Sequence, residues 1–130
     1  MVKGQAMGNE RITRNRRKFG YYMPVIDNKT QKIVGYLSDI SSGGFKLESQ
    51  KSIVTNTVFH LRLDLTPEFS RRPNIAFFAR VAWSQPDPIS PTEFVHGFQI
   101  VSIAPDEQAI FDRIVAKYGV TESNWGNYSQ

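Results

Sequence analysis

The chain has 130 residues, 40% hydrophobic and 12% aromatic, which is enough apolar material for one packed core and too little chain for a second domain. Sixteen Lys and Arg against twelve Asp and Glu give a formal charge of +4, a mild preference for anionic partners, and the lack of Cys excludes disulfides and thiolate chemistry. No apolar run approaches membrane-spanning length and no apolar segment follows the N-terminal charges, so the expectation is a cytoplasmic protein without secretory signal or membrane anchor.

Residues 1–15 are polar, glycine-bearing and without hydrophobic period, and read as a flexible basic arm. Six of the sixteen basic side chains (Lys3, Arg11, Arg14, Arg16, Arg17, Lys18) fall within the first eighteen residues, where Glu10 is the only acid. The fold is expected to begin near Phe19. Residues 21–26 and 32–40 are β-branched and aromatic runs around the polar turn cluster 27–31, and so read as a hairpin. Residues 45–48 alternate, as do residues 58–65, where Phe59, Leu61, Leu63 and Leu65 share one face and His60, Arg62 and Asp64 the other. A connection at 66–74 leads to residues 75–84, with Phe77, Ala79, Val81 and Trp83 on one face. Three prolines keep 85–92 out of sheet and helix interiors, and 93–101 resumes the extended pattern.

The period then changes. Pro105 with Asp106 and Glu107 opens a segment in which Ile110, Phe111, Ile114, Val115 and Tyr118 recur at helical spacing until Gly119, an amphipathic helix marked at both ends. Six short strands need their edges covered, and a six-stranded antiparallel β-barrel with a C-terminal α-helix does so at this length. The domain is placed at 16–118, and 119–130 form a polar tail.

An enzyme needs a nucleophile with a base, a metal set or paired carboxylates, and the chain presents none of these, so it is not expected to be an enzyme. His60 and His96 have no second ligand at metal spacing and read as satisfied or exposed side chains. The Gly43-Gly44 pair is followed by strand rather than helix, which fails the dinucleotide fingerprint. What stands out is Asp39-Ile40-Ser41-Ser42-Gly43-Gly44, preceded by the basic and aromatic run from Arg11 to Tyr22. Asp, Ser and Gly are the ordinary residues of tight turns. The same residues also suit a ligand. Asp39 can accept from guanine N–H groups, Ser41 can donate to a phosphate, and Gly44 permits close backbone approach. Arginines on an arm can fork onto guanine or hold phosphate in ways that lysine does not match.

With an arginine motif ahead of the first strand and the pattern Asp or Asn, any residue, Ser, any two, Gly met by Asp39, Ser41 and Gly44, the chain resembles the PilZ domain, a bacterial receptor module for cyclic di-GMP. The segments 79–83 and 97–100 and the closing helix are similar to the family as well. The resemblance implies that cyclic di-GMP docks around Asp39, Ser41 and Gly44 while Arg17 closes over it, with Arg14, Arg16 and Tyr21 as further contacts and no cofactor. It also implies an adaptor that reports ligand state to an effector protein or pairs with itself as a homodimer. One position departs from the family: Arg17 matches the first arginine of the pair, and Tyr21 stands where the second belongs. Losing a charge-assisted partner weakens affinity about ten- to a hundred-and-fifty-fold. The alternative is therefore a degenerate barrel of the same fold that serves as a protein-interaction module without binding cyclic di-GMP, marked by an exposed apolar patch with residues such as Tyr22 or Trp125. Single-stranded nucleic-acid binding is disfavoured because few basic residues lie on the strands with the aromatics. Replacing Asp39 or Arg17 by Ala is expected to abolish nucleotide binding without unfolding the domain.

Overall fold

The computed structural model describes residues 23–119. Six strands, β1 (Pro24–Asp27), β2 (Ile33–Ser41), β3 (Gly44–Ser49), β4 (Val58–Asp64), β5 (Asn74–Pro86) and β6 (Phe94–Ser102), precede one helix, α1 (Pro105–Tyr118). All neighbouring strands are antiparallel, and they close into a barrel in the order β1-β2-β3-β6-β5-β4. Closure leaves no edge with unpaired backbone groups. The expected six-stranded barrel with a C-terminal helix is the fold. The strand limits differ in one place of note: β5 continues through Gln85 to Pro86, whose partner is Phe94. Proline is tolerated there because it is the last residue of the strand and no further ladder bond depends on its missing N–H.

Alternation alone would misplace side chains along β2 and β5, and two of the four register irregularities in the barrel, at Ser38 and Ala82, account for this. In β2, Leu37 pairs with Leu47 and Asp39 with Lys46, so Ser38 is the extra residue. Leu37 and Ile40 therefore both point into the core, and Asp39 and Ser41 turn outward. In β5, Val81 pairs with Phe98 and Trp83 with Gly97, which leaves Ala82 as the extra residue. Strict alternation puts Trp83 on the face of Phe77, Ala79 and Val81. The bulge instead turns Trp83 to the outside, because an inserted residue reverses the parity of everything after it.

The core is built around Phe45. Its ring stacks on Phe98 at 5.2 Å and meets Phe77 edge-on at 5.8 Å. Helix α1 closes this end of the barrel. Ile110, Phe111 and Ile114 are its buried residues, and the Phe111 ring lies 5.8 Å from Phe77 and 6.5 Å from Phe45. Pro105 starts the helix, Asp106 and Glu107 sit in its positive first turn, and the Gly119 N–H closes it on the Val115 carbonyl at 2.7 Å. Gly119 has an extended backbone rather than a left-handed one. Glycine is needed there because a Cβ would crowd the Val115 carbonyl and the Ile40 backbone. Arg72 ties the helix start to the β4–β5 connection by contacts to Asp106 at 2.7 Å and Glu107 at 3.3 Å.

The opposite end is closed by polar chemistry. His96 is wholly enclosed, with Nε2 2.7 Å from Ser49 Oγ and Nδ1 2.9 Å from Ser84 Oγ. The Ser49 hydroxyl donates to the Lys51 carbonyl at 3.0 Å, so it accepts from His96 Nε2–H. Nδ1 then accepts from Ser84, whose oxygen accepts the Ile53 N–H at 3.2 Å. This chain fastens the β3–β4 connection to β6 and β5. Burial pushes the His96 imidazole down to about 4, so it is neutral at pH 7. His96 is thus a satisfied core histidine. His60, by contrast, lies on the outer face, with its ring stacked 4.4 Å from Phe78.

Candidate functional site

Strands β2 and β3 meet in a two-residue turn, Ser42 and Gly43, with Ser41 paired to Gly44. A Cβ on Gly43 would meet nothing within 4 Å, so the turn tip is open. The register carries three rows of outward positions across β2, β3, β6 and β5. The first is Ser41, Gly44, Gln99 and Arg80; the second is Asp39, Lys46, Gly97 and Trp83; the third is Tyr36, Glu48, Val95 and Gln85. The three motif residues expected from the sequence, Asp39, Ser41 and Gly44, therefore share one face of the barrel at the turn end.

Their chemistry is specific. The Lys46 Nζ sits 2.6 Å from Asp39 Oδ2, and the two side chains are 6% and 5% exposed. An ion pair on the outer wall of a barrel is ordinarily solvated, and this one is not. Ser38, the bulge residue, donates its hydroxyl to the Lys46 carbonyl at 3.4 Å, which binds the two strands at the point where Asp39 is turned outward. Ser41 is buried, and its hydroxyl reaches the Gly44 carbonyl at 3.4 Å, a long bond that a stronger acceptor can displace. The Gly43 carbonyl accepts the Ile100 N–H at 3.1 Å, which fixes the turn against β6. In the second row the Trp83 indole lies across Gly97, close enough that any Cβ there would overlap the ring. The face thus offers a carboxylate, an ammonium, a hydroxyl and a flat aromatic surface in adjacent positions. Arg80 borders it, held by Asn56 Oδ1 at 3.0 Å and by Gln99.

Lys46 and Trp83 are the site residues that sequence reading alone does not assign. Lys46 is one position in an alternating strand, and only the register shows it opposite Asp39. Trp83 is hidden by the bulge at Ala82. Arg14, Arg16, Arg17 and Tyr21 lie outside the described residues, as do Tyr22 and the tail 120–130. The described chain begins at Met23, whose carbonyl accepts the Leu37 N–H at 2.9 Å, two residues before Asp39.

A cleft of about 870 Å³ opens at the other end of the same strands, lined among others by Ile33, Gly35, Tyr36, Glu48, Ile53 and Phe59. None of the three motif residues lines it. It meets the motif face only at Tyr36 and Glu48, and Ile33 is eight residues from Ser41, about 27 Å along an extended strand. Concavity and chemistry point to different places, and the clustered charged and hydroxyl groups make the turn-end face the better candidate. Among the described residues no group of three or more His, Asp or Glu could hold a metal ion, and no helix is long and apolar enough to cross a membrane.

The family model for the PilZ domain matches residues 12–117. Two solved structures share the fold. One is the Bacillus subtilis inhibitor of motility (MotI/DgrA), at TM-score 0.60 and 20% identity, with 74% of this chain and 46% of that one covered. The other is K. pneumonia MrkH in its apo state, at TM-score 0.56 and 15% identity, with 84% of this chain and 49% of that one covered. The chain spans about half the length of each. No curated protein sequence matches it significantly.

Proposed function

The chain belongs to the PilZ domain family, and from that membership we propose that it is a non-enzymatic cyclic di-GMP receptor whose ligand docks on the outer face around Asp39, Ser41 and Gly44. The observation that carries this reading is the convergence of those three residues on one wall of the barrel, beside the point where the N-terminal segment joins it. In the proposal Asp39 accepts guanine N–H donors, Ser41 exchanges its long bond to Gly44 for a phosphate oxygen, and Trp83 offers a ring face for stacking. Arg17 lies six residues before Met23, a reach of up to roughly 20 Å at full extension, so it and its neighbours Arg14, Arg16 and Tyr21 can be brought over Asp39. The arm of residues 1–15 and its arginines close over the nucleotide only in the bound state, and that differential contact is what shifts the equilibrium and creates an output for an effector protein or a second copy. The compartment implied is the cytoplasm.

A second reading is favoured by one observation. The outer face of β4, β5 and β6 exposes Val58, Phe78 and Val101 on adjacent strands, the composition of a contact surface. In that reading Tyr21 marks a lapsed nucleotide site and the barrel acts as an interaction module.

Calorimetric titration with cyclic di-GMP, with GTP and a linear dinucleotide as controls, separates the two. The receptor reading expects saturable binding that is selective for the cyclic dinucleotide and abolished by Arg17→Ala. An absence of binding heat at every concentration gives the site to the interaction-module reading.

A further inference from the structure

Arg80 is held differently from the other arginines near the barrel wall. Arg62 pairs with Asp64 and Arg72 with Asp106 and Glu107, whereas among the described residues no carboxylate pairs with Arg80. Its guanidinium donates instead to two neutral oxygens, Asn56 Oδ1 at 3.0 Å and Gln99 Oε1. Both supports are themselves fixed. Gln99 is paired with Arg80 on one side and with Gly44 on the other. Asn56 has a left-handed backbone, φ 72°, which Asn tolerates better than most residues, and its N–H donates to the Val81 carbonyl at 2.7 Å, next to Arg80. A neutral oxygen orients a guanidinium without cancelling its charge, and these two bonds use two of its five N–H donors. The result is a half-buried cation at a set place, in the row of Ser41 and Gly44 and beside Trp83 in the next row.

We propose that Arg80 is a phosphate-binding residue of this face: it holds one phosphate of the cyclic dinucleotide from the β5 side, while Ser41 meets the ligand from the β2 side. The inference rests on the receptor reading above. Gly44 and Gln99 lie between the two residues, so their backbones are three strand spacings apart, about 14 Å. Gly44 adds no side chain to that span, and the Arg80 side chain shortens it. A guanidinium forks onto two oxygens of one phosphate and stays charged, which suits a ligand whose anionic groups are phosphodiesters. Trp83, beside Arg80 on the same strand, offers its ring to the adjoining base. The wall thereby provides a guanidinium that Tyr21 does not provide.

The test is calorimetric titration of the full chain with cyclic di-GMP over a series of salt concentrations, for the wild type, Arg80→Gln and Arg80→Lys, with an unfolding curve for each. Arg80→Gln keeps its unfolding midpoint near that of the wild type, binds cyclic di-GMP about ten- to a hundred-and-fifty-fold more weakly, and loses affinity less steeply as salt rises. Arg80→Lys keeps the charge without the fork and falls between the two. A residue that only supports the wall would leave the salt dependence unchanged. Wild-type affinity in folded Arg80→Gln, or weakened affinity with the wild-type salt dependence, overturns the role of Arg80 and leaves the receptor reading standing. If Arg80→Gln does not fold, Arg80→Lys decides, and an affinity equal to that of the wild type overturns the role. A wild type that does not bind cyclic di-GMP overturns the receptor reading and the role of Arg80 with it.

Discussion

Asp39→Ala is expected to lower the unfolding free energy by about 3–5 kcal/mol, a large share of the roughly 5–15 kcal/mol that holds a domain together. The reason is Lys46. Removing the carboxylate takes away the oxygen 2.6 Å from an ammonium whose side chain is only 6% exposed. The adjoining Ser38 bulge and the Ser38 bond to the Lys46 carbonyl hold the two side chains opposite each other on β2 and β3. The double variant Asp39→Ala/Lys46→Met removes both charges and is expected to recover most of the loss. Guanidinium unfolding of the wild type and both variants, with slopes compared to confirm the same transition, reads this directly. An Asp39→Ala midpoint indistinguishable from wild type would mean that water reaches the pair after all. The expectation drawn from sequence, that Asp39→Ala removes binding and spares the fold, holds only if Asp39 stands alone at its strand end. A binding experiment that uses this variant therefore needs its unfolding curve beside it.

Acid is expected to weaken the domain through His96, by up to about 3 kcal/mol between pH 7 and pH 4. The imidazole titrates near 6.5 when unfolded and near 4 when folded, because burial disfavours its charged form. Below 6.5 the unfolded chain takes up a proton that the folded chain refuses, so stability falls as pH drops through this window and levels off below about 4. At pH 7 both states are neutral and the penalty is absent. Protonation would also break the chain from Ser84 to Lys51, since Nδ1 would no longer accept from the Ser84 hydroxyl. His96→Gln does not titrate, so the difference in unfolding free energy between it and the wild type should change by about this amount across the window. A constant difference from pH 7 to pH 4 would show that His96 is not held neutral.

The barrel and its helix were legible from pattern because most of the strands alternate and the helix carries both end signals. Phe77, Ala79 and Val81 point inward as their spacing implies, and Ile110, Phe111 and Ile114 form the buried stripe. The motif was legible because Asp39, Ser41 and Gly44 are close in sequence. Local pattern could not supply the bulges at Ser38 and Ala82, whose placement depends on the partner strand. One of them turns Asp39 outward against Lys46, and the other carries Trp83 from the core face to the motif face. Nor could it supply the buried chain through His96, whose hydrogen-bond partners come from β3 and β5. Pairing information, rather than composition, separates a turn of Asp, Ser and Gly from a site with a counter-charge and an aromatic wall.

The most direct test of the site is a backbone amide NMR titration of the full chain with cyclic di-GMP. The two ends of the β2–β3 pair lie far enough apart for shifts to distinguish them. The receptor account places the largest changes at Asp39, Ser41, Gly44 and Lys46 and on the Trp83 indole N–H. Shifts confined to the cleft residues Ile33, Ile53 and Val54, or no shifts at saturating nucleotide, would contradict it.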